Sequence, residues 1–196
     1  MADEATVQNR DDAVPTEKKL EQLYDLIEGI EVAMFTTRRA DGHLVSRPMA
    51  TQEHTLGVDL WFVTNIETHK LDDLMTDPHV NVAYYKDRTR EWVSVAGLAT
   101  VTGDRELVNA LYRSEWKAWL PDEGGDRDGG PDDPRIVLIL VEAESVTYMK
   151  ADKPRPVLLF EVAKAKVTGG DRPDVGSPRT LTERELHRDV DRDVMP

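Results

Sequence analysis

Thr68, His69 and Lys70 fall where a strand turns directly into a helix, a placement that suits phosphate binding. Asp59 to Thr64 (DLWFVT) is short and rich in aromatic and β-branched residues, Asn65 to Thr68 supplies turn chemistry, and Leu71, Leu74 and Met75 recur at helical spacing. Thr68 is a residue type favoured at an N-cap. A helix starting there leaves its first backbone N–H groups without intrahelical partners, adds the positive end of its dipole and brings Lys70 into its first turn. That arrangement suits a dianionic phosphate monoester. The plainer alternative for the same residues is a capped helix with a solvated lysine. His69, a lone histidine at a helix start, reads as a capping or solvated group rather than a catalytic one.

Upstream, Glu31 to Arg38 (EVAMFTTR) and His43 to Thr51 (HLVSRPMAT) read as two strands joined by Arg39 to Gly42, whose Asp41-Gly42 pair is a hairpin turn signal. Arg47 directly precedes Pro48. A proline within a strand cannot donate to the ladder, so it belongs at an edge, at a bulge or where a ligand takes the place of the neighbouring strand. Arg47 itself reads either as a site residue or as a surface arginine on that edge.

Elsewhere, Thr16 to Ile30 reads as a helix with Leu20, Leu23, Tyr24 and Ile27 on one face. Val80 to Tyr85 and Trp92 to Thr102 read as strands, with Gly97 a bulge or bend. Asp104 caps a helix whose apolar stripe runs from Leu107 through Trp116 and Trp119 to Leu120, where Pro121 stops it. Both tryptophans have helical core spacing, so packing or a contact between subunits is an alternative to ligand contact. Ile136 to Val141 and Ser145 to Met149 complete the strands, and Pro156 to Val167 reads as a short amphipathic helix. The expected fold is α+β and mainly β: about six antiparallel strands with flanking helices in a closed or partly closed barrel. The expected organisation is a flexible tail over 1–14, the barrel over 15–150, a helical extension over 151–168 and a mobile charged tail over 169–196.

The chain has no cysteine, which excludes disulfides, thiolate metal sites and thiol nucleophiles. A net charge of −13 argues against nucleic acid as a partner. No apolar run approaches a membrane span, and Met1 to Pro15 is polar and acidic rather than a signal peptide, so a cytoplasmic location is expected. The remaining histidines lack metal-binding spacing, and Asp122 to Asp133 (DEGGDRDGGPDD) lacks the terminal Glu and ordered spacing of an EF-hand. It reads as a solvated loop, and no metal is expected.

SRPMATQ, then LWFVTN, then THK, in that order, resembles the flavin-binding core of the pyridoxamine 5′-phosphate oxidase-like split barrels, in particular their general stress protein branch. The resemblance covers roughly residues 17–150. It implies FMN as cofactor, with Arg47 and Lys70 on the phosphate and Thr68 and His69 adding hydrogen bonds. The backbone of Pro48, Met49, Ala50 and Thr51 would line the pyrimidine edge, and Val63 and Thr64 would lie beneath the ring and ribityl chain. Trp92 stands where homologous enzymes place a polar residue from the partner chain, and Trp119 is a candidate lid on the ring. The implied function is an FMN-dependent oxidoreductase acting on a small-molecule redox substrate as a homodimer. The alternatives are a flavin-buffering stress protein without turnover, or a split barrel binding a deazaflavin or haem. The pattern departs from the oxidase proper in two places: Gln52 stands at the position of its substrate-phosphate lysine, and its C-terminal Arg/His signature is missing.

Overall fold

The computed structural model describes residues 14–53, 59–151 and 178–187. The first helix, α1 (Thr16–Glu28), follows Pro15 and buries Leu23 and Ile27 of the expected face together with Lys19 and Leu26, while Leu20 and Tyr24 are half-buried. Two strands come next, β1 (Val32–Arg38) and β2 (Leu44–Ala50), joined by a tight turn. Gly42 supplies the turn's positive φ of 85°, and Arg39 N–H donates to the His43 carbonyl at 2.9 Å. After β3 (Leu60–Asn65) come α2 (Lys70–Thr76), β4 (His79–Lys86) and β5 (Glu91–Thr102). The remainder is α3 (Arg105–Leu111), a 3₁₀ helix (Ser114–Ala118), β6 (Ile136–Met149), β7 (Pro178–Thr182) and α4 (Glu183–Leu186).

The strands form one open antiparallel sheet in the order β2-β1-β4-β5-β6-β3, with β7 paired to β6. Pro48 therefore sits in an end strand, where its missing N–H is tolerated. Just beyond β2, Gln52 N–H donates to the Trp61 carbonyl of β3 at 3.1 Å, joining the two ends of the strand order.

The chain divides into two compact units. The one comprising Glu31–Val82 and Ala96–Ala143 contains the hairpin, β3, α2 and α3. Its core includes Ala33, Phe35, Phe62, Leu71 and Leu74, with Phe35 edge-on to Phe62 at 5.2 Å. A second cluster gathers Trp61, Val108, Trp116, Leu120, Ile136 and Leu138. Gly97 lies within β5 as a close approach: a Cβ there would come 2.1 Å from the Glu142 carbonyl oxygen.

The other unit comprises, among the described residues, 14–30, 83–95, 144–151 and 178–187. In it β7 pairs with the end of β6, Leu181 opposite Val146, and the Tyr148 hydroxyl donates to the Lys19 carbonyl of α1 at 3.1 Å. Residues 178–187 thus depart from the expected mobile tail. Leu181 is wholly buried, and a capping box between Thr182 and Glu185 starts α4. Residues 1–13 of the expected 1–14 tail and the helix expected over Pro156–Val167 lie outside the described residues.

Two further expectations are corrected. The helix capped by Asp104, whose carboxylate accepts from Glu106 N–H at 2.9 Å, ends at Leu111 instead of continuing to Leu120. Tyr112 leaves helical geometry, donating its hydroxyl to the Gly129 carbonyl at 2.8 Å, and the stripe resumes as the 3₁₀ helix. The acidic loop is also more than a solvated one. Asp133 and Arg135 are almost fully buried and paired at 2.7 Å, and the Arg135 guanidinium donates to the carbonyls of Pro121 and Arg127. Hydrogen bonding from Arg135 holds the Asp133 carboxyl far below the usual carboxylate range despite burial.

Candidate functional site

In β1 and β2, alternation puts Phe35 and Thr37 on one face, and register places Arg47 opposite Phe35, so Arg47 shares that face with Met49. Thr37 and Met49 are buried and Arg47 is half-buried. Arg47 donates through Nη1 to Thr37 Oγ1 at 3.0 Å and through Nη2 to Asp73 Oδ2 at 3.2 Å. Thr37 in turn donates its hydroxyl proton to the same Asp73 oxygen at 2.7 Å.

Asp73 belongs to α2, where Lys70 lies one turn earlier on the same side. Lys70 Nζ donates to Thr64 Oγ1 at 2.5 Å and to Thr68 Oγ1 at 3.2 Å. Among the described residues it pairs with no carboxylate. Burial, and secondly the neighbouring Arg47 guanidinium, push its pKa below the ordinary lysine value. The face thus holds two cations from different elements close enough to repel, one of them supplied only with hydroxyl partners. Such a donor set fits an oxyanion carrying more than one charge, and it fits the phosphate of FMN.

The helix start differs from expectation. α2 begins at Lys70 with His69 as N-cap, and no side chain caps it. Thr68 does not cap because its hydroxyl donates to the Asn65 carbonyl at 2.8 Å while accepting from Lys70. The helix has only seven residues, so the cationic character here comes from the Arg47 and Lys70 side chains rather than from a helix dipole. The turn before it is braced from outside: Ile66 N–H donates to the Arg135 carbonyl at 2.7 Å, and Arg127 pairs with Glu67 at 2.9 Å.

The other expected site residues are more dispersed. His69 is fully exposed, 3.5 Å from Asp72. Pro48 and Ala50 alternate to the exposed face opposite Arg47, and Thr51 N–H donates to the Glu31 carbonyl at 2.9 Å. The Val63 side chain packs on the Trp61–Trp116 cluster, whereas Thr64 points to the opposite face toward Lys70. Trp119 is 82% exposed at the end of the 3₁₀ helix, and Trp92 is half-buried in β5. Gln52, the residue standing for a lysine in the oxidase pattern, accepts a hydrogen bond from Trp116 Nε1 at 3.2 Å.

Thr37 and Asp73 were missed by reading the sequence. The available signals were slight: the alternation that puts Thr37 on the Phe35 face, and the three-residue spacing of Lys70 and Asp73.

The open antiparallel sheet with its flanking helices has the fold of a split barrel. The chain belongs to the pyridoxamine 5′-phosphate oxidase-like family, whose model matches residues 18–174. It is 36% identical over 181 residues to the protein bli-3 of Neurospora crassa, covering 91% of this chain and 86% of that one. General stress protein 26 of Bacillus subtilis is 28% identical over 106 residues, covering 53% of this chain and 70% of that one. Among solved structures, the general stress FMN/FAD binding protein of Xanthomonas citri shares the fold with a TM-score of 0.55 at 21% identity, covering 67% of this chain and 88% of that one. Among the described residues no helix is long and apolar enough to cross a membrane.

Proposed function

We propose that this protein binds FMN by its phosphate and transfers hydride or electrons through it to or from a small-molecule substrate, acting as a homodimer with two equivalent sites. The observation that carries the reading is the pair Arg47 and Lys70, neighbouring cations with no carboxylate paired to Lys70 among the described residues. Arg47 and Lys70 would hold the phosphate, and the Thr64 and Thr68 hydroxyls would keep Lys70 oriented toward it. When bound, FMN supplies the redox chemistry at its ring. The backbone from Pro48 to Thr51 and that of Val63 would border the ring, and Trp92 or Trp119 of the second copy would contribute stacking or apolar contact. Family membership and the flavin binding of the Xanthomonas citri relative support the choice of cofactor.

The dimer is supported by the outward face of the β1–β2 hairpin. Val32, Met34 and Leu44 are exposed there beside Pro48 and Ala50, an apolar surface that a second copy would cover. Pyridoxamine 5′-phosphate oxidation is not proposed, since Gln52 carries no charge with which to hold a substrate phosphate.

The cofactor released by denaturing the purified protein, identified by absorbance and mass, tests the reading. FMN is the expected result, and a deazaflavin or haem would replace it. Steady-state oxidation of NADH or NADPH by the loaded protein tests turnover. A loaded protein inert to both nucleotides with all acceptors tried would favour flavin buffering. Light scattering tests the dimer, and a flavin-loaded monomer would contradict it.

A further inference from the structure

We propose that Asp73 is a positioning residue of the phosphate site: together with Thr37 it fixes the Arg47 guanidinium beside Lys70, so that affinity for a phosphate monoester depends on a carboxylate acting through Arg47. The inference rests on the reading of Arg47 and Lys70 as phosphate ligands.

A carboxylate close to an anion site ordinarily weakens it by repulsion. Here the hydrogen-bond pattern gives Asp73 a different task. Its Oδ2 accepts from Thr37 Oγ1 at 2.7 Å and from Arg47 Nη2 at 3.2 Å, while Thr37 Oγ1 accepts from Arg47 Nη1 at 3.0 Å. A hydroxyl has one proton, and Thr37 gives its proton to Asp73, so only lone pairs face Arg47. Two acceptors therefore meet two N–H groups of one guanidinium and set its plane, leaving its other N–H groups for a ligand. Thr37 is wholly buried and the Asp73 side chain is 13% exposed, so neither acceptor is readily replaced by water.

The arrangement works against repulsion. Arg47 sits near a second cation, Lys70, and a long, half-buried side chain left to itself would gain both rotamer freedom and electrostatic relief by turning toward solvent. Asp73 and Lys70 are fixed to the same face of α2, so the carboxylate that draws Arg47 in also determines which cation it is drawn beside. The phosphate then finds both cations already in place instead of having to order one of them.

The test is a double-mutant cycle on the full chain, with FMN and riboflavin titrated by flavin fluorescence quenching. Asp73→Asn is expected to weaken FMN binding about tenfold, the scale of one charge-assisted hydrogen bond. Riboflavin, which lacks the phosphate, should bind as before. In the Arg47→Ala background, Asp73→Asn should have no further effect. Thr37→Val should reproduce the loss and Thr37→Ser should not, and this pair carries the test if Asp73→Asn does not fold. Unchanged or tighter FMN binding by Asp73→Asn would overturn the proposal, since the carboxylate would then be inert or a competing counter-ion. Equal losses for FMN and riboflavin, or additive effects with Arg47→Ala, would overturn it by showing a structural role only. Failure of the underlying phosphate assignment looks different: Arg47→Ala and Lys70→Ala would then each leave FMN affinity unchanged.

Discussion

Trp116 and Gln52, 64 positions apart in the chain, are joined by an indole N–H donated to the amide oxygen at 3.2 Å. An indole nitrogen can only donate, so the contact fixes which way the Gln52 amide faces. It also separates two tryptophans that look equivalent in the sequence. Trp116 is 5% exposed and lies edge-on to both Trp61 and Tyr112, whereas Trp119, three residues on, is 82% exposed.

Trp116→Ala is therefore expected to cost about 3–5 kcal/mol of stability, the range for emptying a buried tryptophan site. Trp119→Ala should change stability by less than about 0.5 kcal/mol, as for a surface substitution. Denaturant unfolding of the ligand-free forms measures both. Equal losses would place Trp119 in the core as well.

Gly97→Ala tests the packing of β5 against β6. The added methyl would meet the Glu142 carbonyl oxygen at 2.1 Å and the Ala143 Cα at 3.0 Å, and neither backbone atom can rotate aside. A loss of about 1–3 kcal/mol is expected, the range for overpacking, read as a lower denaturant midpoint at an unchanged slope. A midpoint equal to wild type would show that the two strands separate more easily than their geometry implies.

The buried pair Asp133 and Arg135 predicts acid sensitivity. The carboxyl titrates below its ordinary value of about 3.9 in the folded protein, so its contribution is present above that pH and is lost as pH falls toward the folded-state value. Asp133→Asn should cost about 3 kcal/mol near neutrality, the lower end for removing one partner of a buried pair. The gap between mutant and wild type should narrow below about pH 4, where the carboxyl of the unfolded chain begins to take up a proton that the folded one still refuses. Melting curves that stay equally far apart from neutral to acid pH would refute this.

These features were unequally legible in the sequence. The hairpin was readable because its information is local: Asp41-Gly42 sets the turn, and Gly42 adopts the positive φ it permits. The strand–turn–lysine unit was readable to within two residues, the error arising because the Thr68 hydroxyl bonds Asn65 and Lys70 instead of capping. The break after Leu111 was not readable. The apolar stripe continues through it, and only distant partners, Gly129 for Tyr112 and Glu53 for Arg113, draw the chain out of the helix. Strand β7 was hidden for a related reason, since PRTLT is polar and gains its strand form by pairing with β6. The Thr37–Asp73 bond joins residues 36 apart, a relation no local pattern announces.

Lys70 gives the proposed phosphate site a pH signature. Burial and Arg47 lower its pKa in the ligand-free protein, and a bound phosphate would raise it again, so binding favours the charged lysine. FMN affinity should be full below the ligand-free value and fall as pH rises through it, beginning below the ordinary lysine range of about 10.4. Lys70→Arg, which stays charged, should flatten this limb. Titrations across alkaline pH provide the check, and an identical slope in wild type and Lys70→Arg would assign the effect to another group.

The most direct test of the account is the comparison of FMN with riboflavin in wild type, Arg47→Ala and Lys70→Ala, titrated by fluorescence quenching. Each substitution is expected to weaken FMN binding by about 1.5–3 kcal/mol, the range for hydrogen bonds to a charged group, and to leave riboflavin affinity unchanged. If both variants bind FMN as wild type does, Arg47 and Lys70 do not hold the phosphate, and the site built on them is not the flavin site.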